Sequence, residues 1–290
     1  MSKGAGLRET MARAGLVHLM AASNPLAALI AEEAGFEGIW ASGFEFSALL
    51  GLPDVSLVSM TQHLEMLRQI TARTALPVVA DIDTGFGNAI NVMHTVREYE
   101  RAGAAGVVIE DKTFPKVTSL FDKGRQELVR VEEFQGKIEA AIAARADPGL
   151  LVIARVEALI AGLGEEEAER RAALYVEAGA DMILIHSKQA TPDEVESFVR
   201  GWSGAVPLAI VPTSYPMMDE RRIRGLGKIG MVIYGNHAIR ASVAAMQEVF
   251  AAIRRDGGTA GVEARIAPVA EVFRLQGMQA VKRDEARFLR

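Results

Sequence analysis

Two rhythms of apolar positions alternate along this chain. Short, nearly unbroken apolar runs, the pattern of strands buried on both faces, are separated by stretches in which apolar residues return every three or four positions, the pattern of helices covering a sheet. The first kind comprises GLVHLMAA, FEGIWASG, LPVVADID, GVVIEDK, GLLVIARVEA, ADMILIHSK, VPLAIVPTS and KIGMVIYGN. The second begins with Asn24 to Ala34, where Pro25 stands near the start and its missing N–H costs nothing. Leu57 to about Ala72 follows, with Leu57, Met60, Leu64, Leu67 and Ile70 on one side. Further helices are expected over Ile90 to Arg101, Val131 to Ala146, Glu165 to Ala178, the capped segment TPDEVESFVR, Met218 to Leu226 and Ala238 to Ile253. The polar start suggests a short helix, and the charged tail from Gly257 adds more helix.

Eight strands alternating with helices predict a (β/α)8 TIM barrel, which typically needs roughly 250 residues. The expectation is therefore a single barrel domain to about residue 257 with a C-terminal helical extension over about 258–290. An open doubly wound sheet is the alternative, but the first strand runs into AASNP rather than a glycine-rich turn. GxxxxGK is absent, and the GxGxxG match at Gly225 to Gly230 runs into the apolar stretch KIGMVIYGN where the fingerprint would follow a strand and open a helix, so the usual phosphate-loop routes to nucleotide binding have no support.

Composition narrows the chemistry. The 290 residues are half apolar, and 32 basic against 37 acidic residues give a formal charge of -5, with no basic cluster to suggest nucleic acid. The chain has no cysteine, so disulfides, thiolate metal sites and cysteine nucleophiles are excluded. No apolar run reaches the length of a membrane span and the start lacks the apolar core of a secretory signal, so a soluble cytoplasmic protein is expected.

The candidate chemistry gathers in Val78 to Lys116, where two apolar runs emerge into acids, first Asp81 and Asp83, then Glu110 and Asp111. In a barrel, all strand ends of one polarity open into one mouth. Asp81 and Asp83, two apart on an extended segment, would face the same way. Carboxylates packed together repel unless a cation intervenes, and oxygen donors without sulfur and with little imidazole suit a hard divalent ion. The competing reading has Asp83 capping the next helix and Glu110 pairing with Lys112 or Arg155.

Arg155, inside an apolar strand, needs an acidic neighbour or an anionic substrate. His186 is either a structural histidine or a ligand-binding and proton-transfer group, and Trp40 either core or pocket wall. Ser42, Gly43 and Phe44 form a turn whose N–H groups could hold a carboxylate. The stretch from Thr113 to about Val129 shows no clean period and is long for a βα loop, as lids and binding loops are. The residues by themselves thus point to a divalent-metal barrel enzyme acting on a small anion, with enolate chemistry beside a carbonyl as the natural use of the metal.

ASGFEFSALLGLPD, VVADIDTGFGN, VVIEDKTFPKVTS, IARVEA, LIHSK and the helical tail together resemble the phosphoenolpyruvate mutase and isocitrate lyase superfamily, through nearly the whole chain. The resemblance implies a barrel whose last helices swap between subunits of a homodimer or homotetramer, and a small anionic 2-oxo acid substrate. It implies Mg2+ as cofactor, with Mn2+ or Co2+ as alternatives, held directly by Asp81 and largely through waters by Asp54, Asp83 and Glu110. Ser42, Gly43 and Phe44 would grip the substrate carboxylate. Arg155 would hold a phosphonate, with His186 and Ser119 nearby and Trp40 flanking the pocket. Lys116, Thr118 and Ser119 would lie on a gating loop spanning Thr113 to Asp122.

Departures from sibling patterns select among activities. Lyases of the superfamily carry a lysine, cysteine, glycine and histidine motif in the loop that here reads FPKVTS, and the mutases carry asparagine where this chain has Thr118. The expected reaction is hydrolysis of the phosphorus–carbon bond of phosphonopyruvate, with the mutase reaction or oxaloacetate hydrolysis or decarboxylation as alternatives. A non-catalytic assembly protein would leave the charged strand ends without a purpose.

Overall fold

The computed structural model describes residues 2–119, 121 and 126–289. Within them the chain divides into two compact units, residues 1–237 and 238–290, a boundary one helix ahead of the expected one.

The first unit is a closed barrel of parallel strands in sequential order: β1 (Val17–Ala22), β2 (Gly38–Ala41), β3 (Val78–Asp81), β4 (Gly106–Glu110), β5 (Leu151–Val156), β6 (Met182–Ile185), β7 (Leu208–Ile210) and β8 (Ile229–Tyr234), with β8 closing onto β1. Its helices are α1 (Lys3–Ala14), α2 (Pro25–Glu33), α3 (Gly43–Leu49), α4 (Met60–Thr71), α5 (Ala89–Arg101), α6 (Val131–Ala144), α7 (Glu165–Glu177), α8 (Asp193–Gly201) and α9 (Glu220–Leu226). All eight expected strands are present, as expected for buried runs that have no other way to satisfy both faces and backbone.

The strands separate two apolar layers by simple alternation. Leu19, Trp40, Val79, Val108, Ile153, Leu184, Ala209 and Ile233 pack inside the barrel, with Leu7 of α1 joining that cluster. Their neighbours Ile39, Ala80, Val107, Ile109, Val152 and Ile183 face outward and pack with Leu67, Val96, Phe134 and Tyr175 of the helices. Local signals set the helix starts: Ser59 caps α4 and Asn88 caps α5, each in a reciprocal capping box.

One helix was not expected. The turn at Ser42, Gly43 and Phe44 continues as α3, with the Ser42 hydroxyl accepting from the Glu45 N–H at 3.2 Å.

The second unit consists of α10 (His237–Asp256), a single 3-10 turn at Glu263–Arg265, α11 (Val269–Gln276) and α12 (Met278–Phe288). Arg265 pairs with Glu248 at 2.5 Å, and Phe250, Val269, Phe273 and Phe288 are exposed. No helix among the described residues is long and apolar enough to cross a membrane.

Candidate active site

Continuing the inward alternation of each strand by one or two steps produces the site. Trp40 leads to Ser42, Val79 to Asp81, Val108 to Glu110 and then Lys112, Ile153 to Arg155 and then Glu157, and Leu184 to His186. Asp111, one residue off that phase, turns outward instead, where its carboxylate meets Arg171 at 3.0 Å and the Tyr175 hydroxyl at 2.8 Å. The acidic pair at the end of β4 is thus split, one residue to the mouth and one to the outer layer.

Trp40, Ser42, Phe44, Asp54, Asp81, Glu110, Lys116, Thr118, Ser119, Arg155 and His186 line one cleft. Val211, Thr213, Gly235 and Asn236 complete it.

One wall is acidic. β3 ends at Asp81, and Asp83 lies beyond it at a positive φ of 50°, not on the extended segment expected. The Asp83 N–H donates to Asp81 Oδ1 at 3.0 Å, so the two carboxylates are gathered by a tight turn. Aspartate tolerates this left-handed conformation better than most residues. Gly85 allows the turn, because a Cβ at that position would lie 2.4 Å from Val92 Cγ2. Asp83 does not cap α5, since Asn88 does. Lys116 reaches into the wall, with its ammonium 2.6 Å from Asp83 Oδ1 and 3.0 Å from Asp54 Oδ1.

Burial pushes the Asp83 carboxyl up to about 7, against Lys116 and helped by Asp81 and Asp54. Burial also raises Glu110, whose Oε1 has no hydrogen-bond partner among the described residues. For Lys116 burial opposes the charge, yet Asp83 and Asp54 hold its pKa well above the ordinary lysine value. A wall with an orphaned carboxylate oxygen and a carboxyl lifted toward neutrality has room for another positive charge.

Among the described residues, no three Asp, Glu or His side chains are close enough to coordinate one ion directly. Magnesium keeps several waters and is bound through one or two carboxylates, a demand that the oxygens of Asp81 and Glu110 lining the cleft can meet. Gly43 leaves space beside Asp81, because a Cβ there would lie 3.1 Å from Asp81 Oδ2 and 3.2 Å from His63 Cε1.

The opposite wall is self-neutralised. Arg155 Nε donates to Glu157 Oε1 at 2.5 Å and its Nη2 to the Ser119 hydroxyl at 2.9 Å, while Glu110 Oε2 lies 3.5 Å from Nε. Both alternatives for Arg155 are therefore compatible: it is paired, and it lines the cleft. Lys112 pairs with Glu157 at 3.0 Å, not with Glu110. Burial would raise Glu157, but Arg155 and Lys112 more than offset it and hold the carboxyl well below its ordinary range.

His186 Nδ1 lies 3.0 Å from Arg155 Nη2 and 3.3 Å from Glu157 Oε1. A guanidinium can only donate, so the shorter contact makes Nδ1 the acceptor and leaves the proton of the neutral ring on Nε2. Burial, then Arg155, lowers the His186 pKa, consistent with a neutral imidazole.

Between the walls runs the segment that sequence reading marked as a lid. Its base is fastened by an isolated antiparallel bridge between Lys112 and Leu128. The Lys116 N–H donates to the Ser56 hydroxyl at 3.1 Å, and Gln126 Nε2 donates to the Thr118 carbonyl at 3.1 Å. The far end of the expected lid, residues 120 and 122, lies outside the described residues.

Sequence reading offered Lys112 only as a partner of Glu110 and gave Glu157 no task. It missed His63, which is buried on α4 beside Asp81 with its pKa lowered by burial to about 4. The R-x-E spacing on a strand was the available signal for Glu157, and the Met60–Leu67 stripe for His63.

Comparison with known proteins relates the whole chain to one family. The chain is 59% identical over 290 residues, covering all of both chains, to a phosphonopyruvate hydrolase of Variovorax sp. (strain Pal2). It is 46% identical over 274 residues to a phosphoenolpyruvate phosphomutase of Tetrahymena pyriformis, covering 94% of this chain and 91% of that one. A crystal structure of phosphonopyruvate hydrolase in complex with oxalate and Mg2+ superposes with a TM-score of 0.95 at 57% identity over the full length of both. The family profile described as phosphoenolpyruvate phosphomutase matches residues 7–254, and the chain belongs to that family.

Proposed function

We propose that this chain hydrolyses the phosphorus–carbon bond of 3-phosphonopyruvate, releasing pyruvate and phosphate. The observation that carries the reading is Thr118, set in the cleft between the acidic wall and the arginine wall on a lid without cysteine. The similarity to a phosphonopyruvate hydrolase along the entire chain supports it.

In this reading Asp81 would be the direct ligand of Mg2+, or of Mn2+ or Co2+ in its place, and Asp54, Asp83 and Glu110 would hold it largely through waters. When bound, the metal supplies Lewis-acid polarisation of the substrate ketone. The amides of Gly43 and Phe44, in the first turn of α3 where no intrahelical acceptor is available, meet the substrate carboxylate together with Ser42. Arg155, Ser119 and the Nε2–H of His186 hold the phosphonate oxygens, while Trp40 flanks the substrate.

The phosphorus–carbon bond breaks with its electron pair moving into the pyruvate enolate. Phosphorus forms its new bond to oxygen, supplied by the Thr118 hydroxyl or by a water that Thr118 orients. If threonine is the acceptor, water then cleaves the phosphothreonine. Either way one water is consumed, and the enolate carbon takes a proton to give pyruvate. Lys116, locked between Asp54 and Asp83, keeps the lid closed and bulk water out.

The reading includes assembly. Residues 238–290, with exposed Phe250, Phe273 and Phe288, form the helical part exchanged between subunits of a homodimer or homotetramer in the cytoplasm. A monomeric mass by sedimentation at micromolar concentration would contradict it.

The deciding assay measures phosphate and pyruvate from phosphonopyruvate with and without magnesium, beside oxaloacetate. Metal-dependent formation of both products in equal amounts is expected. Phosphoenolpyruvate as product, or turnover of oxaloacetate with no phosphate from phosphonopyruvate, would overturn the proposal in favour of a sibling reaction.

A further inference from the structure

Lys112 and Glu157 are almost completely buried, 2% and 0% exposed, and both lie past the last residues of β4 and β5. An ammonium has three N–H donors and no acceptor. Lys112 directs all three to defined partners: the Val117 carbonyl at 2.8 Å, the Ser119 hydroxyl at 2.6 Å and Glu157 Oε2 at 3.0 Å. Two of the three belong to the lid segment, and they flank Thr118 on either side.

Glu157 divides its oxygens in a matching way. Oε1 faces Arg155 and His186, and Oε2 accepts from Ser119 at 2.7 Å and meets Lys112. Its own backbone N–H is tied to Asp111 Oδ1 at 2.9 Å, so the carboxylate is held from below. Ser119 is the crossing point: its hydroxyl accepts from Lys112 and Arg155 and donates to Glu157.

We propose that the buried Lys112–Glu157 pair is a joint that fastens lid residues 116–119 to the arginine wall, so that seating Thr118 and aiming Arg155 and His186 are one event. Lys112 and Glu157 are then positioning residues. A buried ion pair is a poor source of stability, because desolvation cancels much of its attraction and an apolar pair of similar size does as well. Its worth here lies in where it places its partners. If the lid segment moves away, Lys112 forfeits two of its three acceptors and Arg155 one of its own, whereas the Lys112–Glu157 contact itself survives. Closure is therefore rewarded by charge-assisted hydrogen bonds that exist only when Thr118 is in place.

The inference rests on the reading of Thr118 and its lid as working parts of the site. Its first readout is independent of substrate: amide hydrogen exchange in peptides covering residues 113–119, compared with β4, on the full-length protein with magnesium present. In Lys112→Met, exchange over 113–119 rises about tenfold or more while β4 is unchanged, as expected for the loss of a charged hydrogen bond. The same variant lowers kcat about tenfold and leaves magnesium affinity at the wild-type value. Combined with Ser119→Ala, the losses fall short of the product of the single ones, since both remove the same contact.

Unchanged exchange in a folded Lys112→Met protein, or fully multiplicative losses, overturns the joint. Should Lys112→Met lose its cooperative melt, Ser119→Ala decides alone: it cuts the lid contact and keeps the buried pair, and its exchange over 113–119 must still rise. A wild-type protein that releases no phosphate from phosphonopyruvate would refute the substrate proposal, while the exchange result would still judge the joint.

Discussion

On one side of the mouth, Asp54 and Asp83 share the Lys116 ammonium, Glu110 keeps an oxygen without a partner and burial lifts Asp83 to about 7. On the other, Glu157 is met by Arg155, Lys112 and the Ser119 hydroxyl and is held well below the ordinary carboxylate range. Both walls are buried and both are built from residues that continue the inward phase of their strands. They differ in completeness: the arginine wall closes its hydrogen bonds within the protein, whereas the acidic wall keeps an unpartnered oxygen at Glu110, which the cation of the proposed function would complete. A preorganised wall and a wall completed by its cofactor can therefore be damaged separately.

The strongest blow to the acidic wall is Asp81→Ala. Phosphate release from phosphonopyruvate should fall about 10³-fold, roughly 4 kcal/mol of transition-state stabilisation, and the calorimetric signal of magnesium binding should disappear. Retained magnesium affinity would show that the wall is not the metal site.

Arg155→Lys strikes the other wall by replacing the planar fork with a point charge. kcat/KM should drop about 10²-fold with magnesium affinity preserved. A parallel loss of magnesium binding would show that the two walls act as one unit.

Thr118→Ala touches neither wall. Phosphate release should slow at least about tenfold while KM and metal binding stay close to wild type. A wild-type rate would remove Thr118 from the reaction.

The smallest effect is expected outside the mouth, at Glu196 of α8, which pairs with Arg222 and with Arg200 at 2.7 Å. Arg222 first, against a burial cost, holds this carboxyl below its ordinary value. Because the folded pKa is depressed, the pair stabilises the fold above the unfolded value near 4.5 and loses that contribution as pH falls through the lower folded value. Glu196→Gln should cost at most about 1 kcal/mol at neutral pH, with the difference from wild type vanishing in acid and activity unchanged. Lost activity would mean that function extends beyond the mouth.

The barrel was legible because each strand is an apolar run and each covering helix has its stripe, signals that tertiary packing reinforces rather than overrides. Asp81, Glu110, Arg155 and His186 were legible for the same reason, since a charged residue at the end of a buried strand has few other places to go. The α3 helix was hidden because GFEFSAL is short and its apolar residues have no helical stripe. Asp83 was assigned an extended backbone because nothing in a run of residue types announces a positive φ. The roles of Lys112 and Glu157 depend on which of several cations meets which carboxylate, and that is decided by distances across the barrel, as in the 3.0 Å contact of Lys112 with Glu157.

The bridge between Lys112 and Leu128, flanked by Thr113 N–H to Glu127 carbonyl and Val129 N–H to Asp111 carbonyl bonds of 3.0 Å each, works like the stem of a graft. Both ends of the excursion are set by the barrel, so its length can drift at little cost, about 0.6 kcal/mol for each doubling. Segments of different composition could be spliced onto the same stem without disturbing the strands below. A scaffold arranged in this way can acquire a new reaction by exchanging a few residues around Thr118, while the charged walls on either side keep their arrangement.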